Sequence, residues 1–300
     1  MSFNVPAKAV VIAIVIHSLW GGNTVAVKYG LQAFPPLCSA FLRFVLGAVF
    51  IACWCAVARV RLWPERGEWS QHAIICALFT VQIGAMNIGF GMTSGSMGSI
   101  LISTNPLFAS LFAHFLIAQD RMTAGRALGL SVAFTGTLLT LVGDGSGDMS
   151  EGTMQGNLIV LLSAGLLGLR LALGARAVRS IEPLRVAFWQ MTLALPLFGL
   201  GSLIFEEIDP ESIDWAPIIG ILYQGVVVAG LGFTVAFMLM RRYSPGVMLS
   251  FNFVAPVSGV ALSALLLAER PAASLFLGML LVAVGLLIVT LQRPARQSSP

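Results

Sequence analysis

The chain has 300 residues, 57% of them hydrophobic and 10% charged, with a mean hydropathy of +0.90. A soluble domain carries roughly 25% charged residues and needs them as a skin against water, so 17 basic and 13 acidic side chains exclude a soluble enzyme, a nucleic-acid binder and a disordered chain. The net charge of +4 then reports membrane orientation and not nucleic-acid affinity.

A helix that crosses a bilayer takes about 20 apolar residues. Strand periodicity is missing over such lengths, which excludes a membrane β-barrel. The first predicted span covers 8–30; it follows only a few residues and lacks a small-residue cleavage site, so it reads as a retained span. His17, Trp20, Thr24 and Lys28 share one face of it, with Asn23 beside them. The second span, 36–58, starts at Pro35-Pro36 and carries Arg43 about 10 Å below its outer end at 1.5 Å rise per residue. Cys38, Cys53, Cys55 and Cys76 have no histidine or second cysteine pair nearby, so they read as free, buried, small apolar residues and no metal site is expected. The third span, 71–91, offers Gln82, Met86 and Asn87. The fourth, 95–117, lines up Ser99, Ser103, Ser110 and His114 on one face, with Asn105 next to a mid-span Pro106. The fifth, 124–143, spaces Gly129, Gly136 and Gly143 seven apart, a stripe that lets helices pack closely and suits a packing or dimer surface.

The sixth span, 152–173, places Arg170 near its inner end, and the seventh covers 183–205. The eighth, 213–238, carries Tyr223 and Gln224. The ninth, 244–268, aligns Asn252, Pro256, Gly259 and Ser263, and the tenth, 271–292, repeats the glycine stripe at Gly278 and Gly285. Pro106 and Pro256 each free a carbonyl and predict a helix kink. With the N-terminus in the cytoplasm, 13 of the 17 basic residues fall on the cytoplasmic side and 9 of the 13 acidic residues on the opposite side. Both termini are therefore expected in the cytoplasm. Only Arg43 and Arg170 are clearly charged within spans.

The chain also repeats itself. Pro106, Asp120-Arg121, Gly129 and Gly136 match Pro256, Glu269-Arg270, Gly278 and Gly285 at offsets of 149 to 150. Lys28 and Pro35 match Arg176 and Pro183 at 148, and Ser94 matches Ser244 at 150. Two halves, 8–143 and 152–292, each hold five spans. Five is odd, so the second half enters from the other side of the membrane. The expected fold is an all-α integral membrane protein of ten transmembrane helices in two inverted five-helix repeats, a construction secondary transporters use for alternating access.

These residues resemble the EamA-like branch of the drug/metabolite transporter superfamily. The resemblance rests on Trp20-Gly21-Gly22-Asn23 with Lys28, on Arg43, on the two Pro and acid-Arg pairs, and on the paired glycines. Gln119-Asp120, Ala268-Glu269 and Leu167-Gly168 depart from the family pattern. The resemblance implies two EamA-like repeats, a carrier in the cell inner (plasma) membrane, and export of small metabolites such as amino acids. It also implies a central cavity lined mainly by spans 1, 3, 4, 6, 8 and 9. No cofactor is implied, and the partners are a small-molecule substrate and the lipid bilayer, as a monomer or homodimer.

Polar groups within a bilayer are costly and so are functional candidates. The substrate-path candidates are Trp20, Asn23, Gln82, Asn87, Ser103, Asn105, Arg170, Tyr223, Gln224 and Asn252. Each amide or hydroxyl can equally act as interhelical glue. Arg170 either meets a substrate carboxylate or snorkels to the cytoplasm. Arg43 either pairs with Glu269 at the outer end of the bundle, snorkels, or contacts substrate. His17 and His114 are the protonatable groups, since no carboxylate lies mid-span. A facilitative carrier, importer or exchanger is the alternative to an exporter. A channel lacks a charge ring or carbonyl filter, and an intramembrane enzyme lacks a partner for Ser99 or a metal-binding helix motif.

Overall fold

A computed structural model describes residues 7–116, 122–142, 151–178, 180–242 and 251–291. Among the described residues the chain is helical, with no strand. The helices are α1 (Ala7–Gly30), α2 (Pro36–Ala58), α3 (Trp69–Met92), α4 (Gly95–Ile102), α5 (Asn105–Leu116), α6 (Ala124–Val142), α7 (Glu151–Ala177) and α8 (Pro183–Phe205). Then follow α9 (Trp215–Leu222), a π-helical segment (Tyr223–Gly232), α10 (Phe233–Arg242), α11 (Val254–Leu266) and α12 (Ala273–Leu291). Eight stretches are long and apolar enough to cross a membrane, and two shorter apolar helices, Val254–Leu266 and Ala273–Val289, follow them.

Local chemistry sets the ends. Pro36 and Pro183 open α2 and α8 at positions where a missing N–H costs nothing. The Ser94 hydroxyl accepts from the Met97 N–H and caps α4. The predicted fourth span is two helices: α4 stops at Ile102 and α5 starts at Asn105. Pro106, expected to kink a continuous helix, instead sits in the first turn of α5, where the break precedes it. Pro256 likewise lies in the first turn of α11, and the preceding part of the expected ninth span, with Ser244, falls outside the described residues.

Packing explains the apolar composition. A buried core runs through Phe44, Phe79, Phe90, Met191 and Phe198. Facing outward are Val49, Val57, Leu203, Phe205 and Leu265, an apolar exterior that suits lipid. Within the molecule, α1 lies against α9, the π-helical segment and α11, while α7 lies against α3, α4 and α5. The α2 helix packs on α8 and the π-helical segment, and α3 also packs on α8. The glycine stripes of α6 and α12 meet each other. A Cβ on Gly136 would stand 2.7 Å from the Gly278 carbonyl oxygen, and one on Gly129 would stand 2.9 Å from that of Gly285. The described part of the stripe thus serves packing within the chain. Gly143 lies outside the described residues.

Candidate functional site

Two polar clusters form along the buried faces of the bundle. The first surrounds α1. His17 Nδ1 donates to the Ala13 carbonyl at 2.7 Å, and its Nε2 meets the Asn252 side-chain amide at 2.8 Å. The Asn252 atom that faces Nε2 is Oδ1, so the contact is a hydrogen bond when Nε2 carries a proton, or when the amide is turned to present its NH2 group to a neutral ring. Trp20 lies edge-on to His17 at 5.2 Å and tilted to Phe233 at 6.2 Å, with its indole N–H unpartnered among the described residues. The Tyr223 hydroxyl donates to the Leu19 carbonyl at 2.9 Å, and Gln224 Nε2 donates to the Ala26 carbonyl at 3.0 Å. Asn23 Oδ1 is buried without a partner among the described residues.

The second cluster lies among α2, α3, α7 and α8. Gln82 Nε2 donates to the Ser163 hydroxyl at 3.1 Å, which in turn donates to the Gln82 carbonyl at 2.9 Å. Arg170 Nη1 donates to Gln190 Oε1 at 2.7 Å, and its guanidinium lies 5.1 Å from the centre of the Phe79 ring. Arg43 lies 5.1 Å from the Phe44 ring centre, and the rings of Phe44 and Phe79 are 4.7 Å apart. A cavity of about 320 Å³ opens between α3 and α7, lined by Gln71, Ile74, Ile75, Leu173 and Ala177.

Several expected site residues are taken up by local structure. Asn87 Nδ2 donates to the Pro36 carbonyl, holding the start of α2. The Ser103 hydroxyl donates back to the Ser99 carbonyl, and Asn105 Nδ2 donates to the Ile102 carbonyl at the α4–α5 break. His114 Nδ1 accepts from the Met122 N–H, a structural bond. The expected Arg43–Glu269 pair does not form. Glu269 accepts from the Gly95 N–H at 2.6 Å, the Ser96 N–H at 2.9 Å and the Ser96 hydroxyl at 2.6 Å, because the α4 N-terminus offers unpaired N–H groups to a carboxylate. Arg43 also does not snorkel, since it is only 4% exposed. Asp120 and Arg121, with the side chain of Arg176, lie outside the described residues.

Sequence reasoning passed over some participants, and for Lys28 it gave the helix face but not the role. Gln190 is the partner of Arg170, and its signal was a lone amide within an apolar span. Lys28 Nζ donates to the Phe90 and Thr93 carbonyls at 3.1 and 2.8 Å, closing the C-terminus of α3. Thr93 and Asn157 share a short hydrogen bond that ties α3 to α7. Glu206 accepts from the Leu37 and Cys38 N–H groups at 2.7 and 2.8 Å, capping α2. Arg185 of α8 reaches Glu68 on the α2–α3 connection, its Nη1 donating to both carboxylate oxygens at 2.8 and 2.9 Å. Burial by itself would raise the Glu68 pKa, but the Glu65 N–H, Arg185 and the His72 charge hold it below the usual carboxylate range. Among the described residues no group of three or more His, Cys, Asp or Glu side chains could hold a metal.

Comparison with known proteins follows the same lines. A family model described as the EamA-like transporter family matches residues 7–142 and again 154–291. The uncharacterized transporter YoaV of Bacillus subtilis is 23% identical, the match spanning 91% of this chain and 93% of that protein. A protein of Escherichia coli named "Probable amino-acid metabolite efflux pump" is 27% identical over 93% of each chain. Its namesake in Salmonella typhimurium is 26% identical over 92% of this chain and 93% of its own. One solved crystal structure superposes with a TM-score of 0.70 at 20% identity, covering 95% of this chain and 98% of its own, a likeness of fold.

Proposed function

The chain belongs to the EamA-like transporter family, and from that membership we propose that it is a secondary carrier that exports a small amphipathic metabolite, such as an amino acid, by alternating access. On this reading ten crossings form two inverted repeats, 8–143 and 152–292, in the cell inner membrane with both termini cytoplasmic. The observation that carries it is reciprocal packing. If a two-fold axis in the membrane plane relates the halves, a contact of span 1 with spans 8 and 9 requires one of span 6 with spans 3 and 4. Those are the contacts of α1 with α9, the π-helical segment and α11, and of α7 with α3, α4 and α5. The self-paired stripes of α6 and α12 obey the same symmetry. Two near-equivalent packings of such halves are the inward-open and outward-open states.

The named efflux pumps at 26% and 27% identity support the direction and substrate class. The π-helical segment carries Tyr223 and Gln224 against α1, and such irregular turns frequently mark functional sites. A second reading, an exchanger or facilitative carrier, is favoured by one feature: the spans hold no mid-membrane carboxylate for a proton relay. The test is overexpression in cells with mass spectrometry of the medium. Accumulation of amino acids or related metabolites outside supports export, depletion of a medium component supports uptake, and an unchanged medium with well-expressed protein overturns the reading.

A further inference from the structure

We propose that Arg43 and Arg170 form an anion site for the carboxylate of the transported solute, so that the substrate class is small organic acids, amino acids among them. The inference rests on the transport reading above and names its substrate.

Both guanidinium groups are withdrawn from solvent, with Arg43 4% and Arg170 9% exposed. A snorkelling arginine would place its head at the surface; these heads lie against Phe44 and Phe79 in the packed interior. Neither has an acidic partner within salt-bridge distance among the described residues. Arg170 reaches a neutral amide, Gln190, while its Nε and the Nε and Nη1 of Arg43 find no hydrogen-bond acceptor. The two are linked through neighbouring rings: one guanidinium lies over Phe44 and the other over Phe79, and the two ring centres are 4.7 Å apart. Two like charges buried together with free donors are costly, and ring faces only partly offset that cost. A carboxylate resolves both problems: it neutralises charge, and it accepts from the planar arginine fork with two oxygens.

The placement suits a carrier. Arg43 lies seven residues from the start of α2 and Arg170 seven residues from the end of α7. In the ten-span topology each is about 10 Å from an opposite membrane face at 1.5 Å rise per residue. The Phe44–Phe79 pair stands with them, its ring centres 4.7 Å apart. An anion held there meets one arginine from each half of the chain, so both halves sense it. A separate cavity of about 320 Å³ lies along the same two helices: its Leu173 and Ile75 are one helical turn along the chain from Arg170 and Phe79.

The test uses the full-length protein in nanodiscs and follows its unfolding temperature against leucine, phenylalanine, phenylacetate and succinate, each paired with its amide. Sodium chloride at equal ionic strength controls for simple anions. The expected result is that at least one acid stabilises the protein, its amide does not, and Arg170→Gln weakens the apparent affinity at least tenfold. Arg43→Lys and Arg170→Lys, which keep the charge and guard against misfolding, weaken it less. Equal protection by an amide, equal protection by chloride, or unchanged acid affinity in a folded Arg170→Gln protein overturns the site. If no acid in the panel protects, this inference fails alone. The transport reading fails only if the export screen is also blank.

Discussion

Three carboxylates, Glu68, Glu206 and Glu269, meet donors that the fold would otherwise leave unpaired. Glu269 takes three donors at the start of α4, and hydrogen bonds to a charged acceptor exceed neutral ones. Glu269→Gln is expected to cost about 2 kcal/mol, seen as a fall of a few degrees in the melting temperature of the purified protein; an unchanged melt would show that the cap is not stabilising. Glu68 supplies a pH signature. Its folded pKa is depressed, so its contribution is full above the unfolded value of about 4.3 and is lost as pH falls through the folded value. The melting gap between wild type and Glu68→Gln is therefore expected to be widest near neutral pH and to close on acidification below about pH 4. The same scale shows why side-chain partners were poorly legible. Arg43 and Glu269 were both expected toward the outer end of the bundle, but nearness to one end does not fix the direction in which a helix turns its side chain. Gln190 sits 147 residues after Arg43, close to the repeat offset of 148 shared by Lys28 and Arg176. The repeat therefore marked a polar position near Gln190 that a search for charges alone passes over, but not its bond to Arg170.

Elements were more legible than residues. The long apolar runs at 36–58, 124–143 and 183–205 reappear as α2, α6 and α8 within a residue or so at either end, because a span must satisfy its own backbone in lipid and its length is set by the bilayer. The split of α4 from α5 and the π-helical turn of 223–232 were not legible. Both depend on hydrogen bonds that slip by one residue against neighbouring helices, which hydropathy does not record. The α6–α12 seam yields a sharp expectation. Gly136→Ala would drive its methyl group toward the Gly278 carbonyl oxygen at 2.7 Å, whereas a Cβ on Gly174 meets nothing within 4 Å. Overpacking typically costs about 1–3 kcal/mol, so Gly136→Ala should lower the melting temperature. Gly174→Ala should hold or slightly raise it, by the better helix propensity of alanine. Equal effects would mean that the seam can relax.

At the scale of the molecule, charge sorting and the internal repeat carried most of what could be read beforehand. Thirteen of 17 bases on one side set the proposed orientation, and a C-terminal green fluorescent protein fusion should fluoresce in the cytoplasm while a phosphatase fusion there stays inactive. The reverse pattern would turn the chain over. What the repeat could not supply is which faces meet: the partnering of α1 with α9 and α11, and of α7 with α3 and α5, emerges only from packing. That reciprocity underlies the central claim, that the two halves exchange between inward-open and outward-open arrangements around one solute. Counterflow in proteoliposomes tests it most directly, with vesicles loaded with the unlabelled solute found in the export screen and a tracer added outside. A carrier that alternates predicts transient accumulation of tracer above its equilibrium level. Simple equilibration without an overshoot would contradict the account.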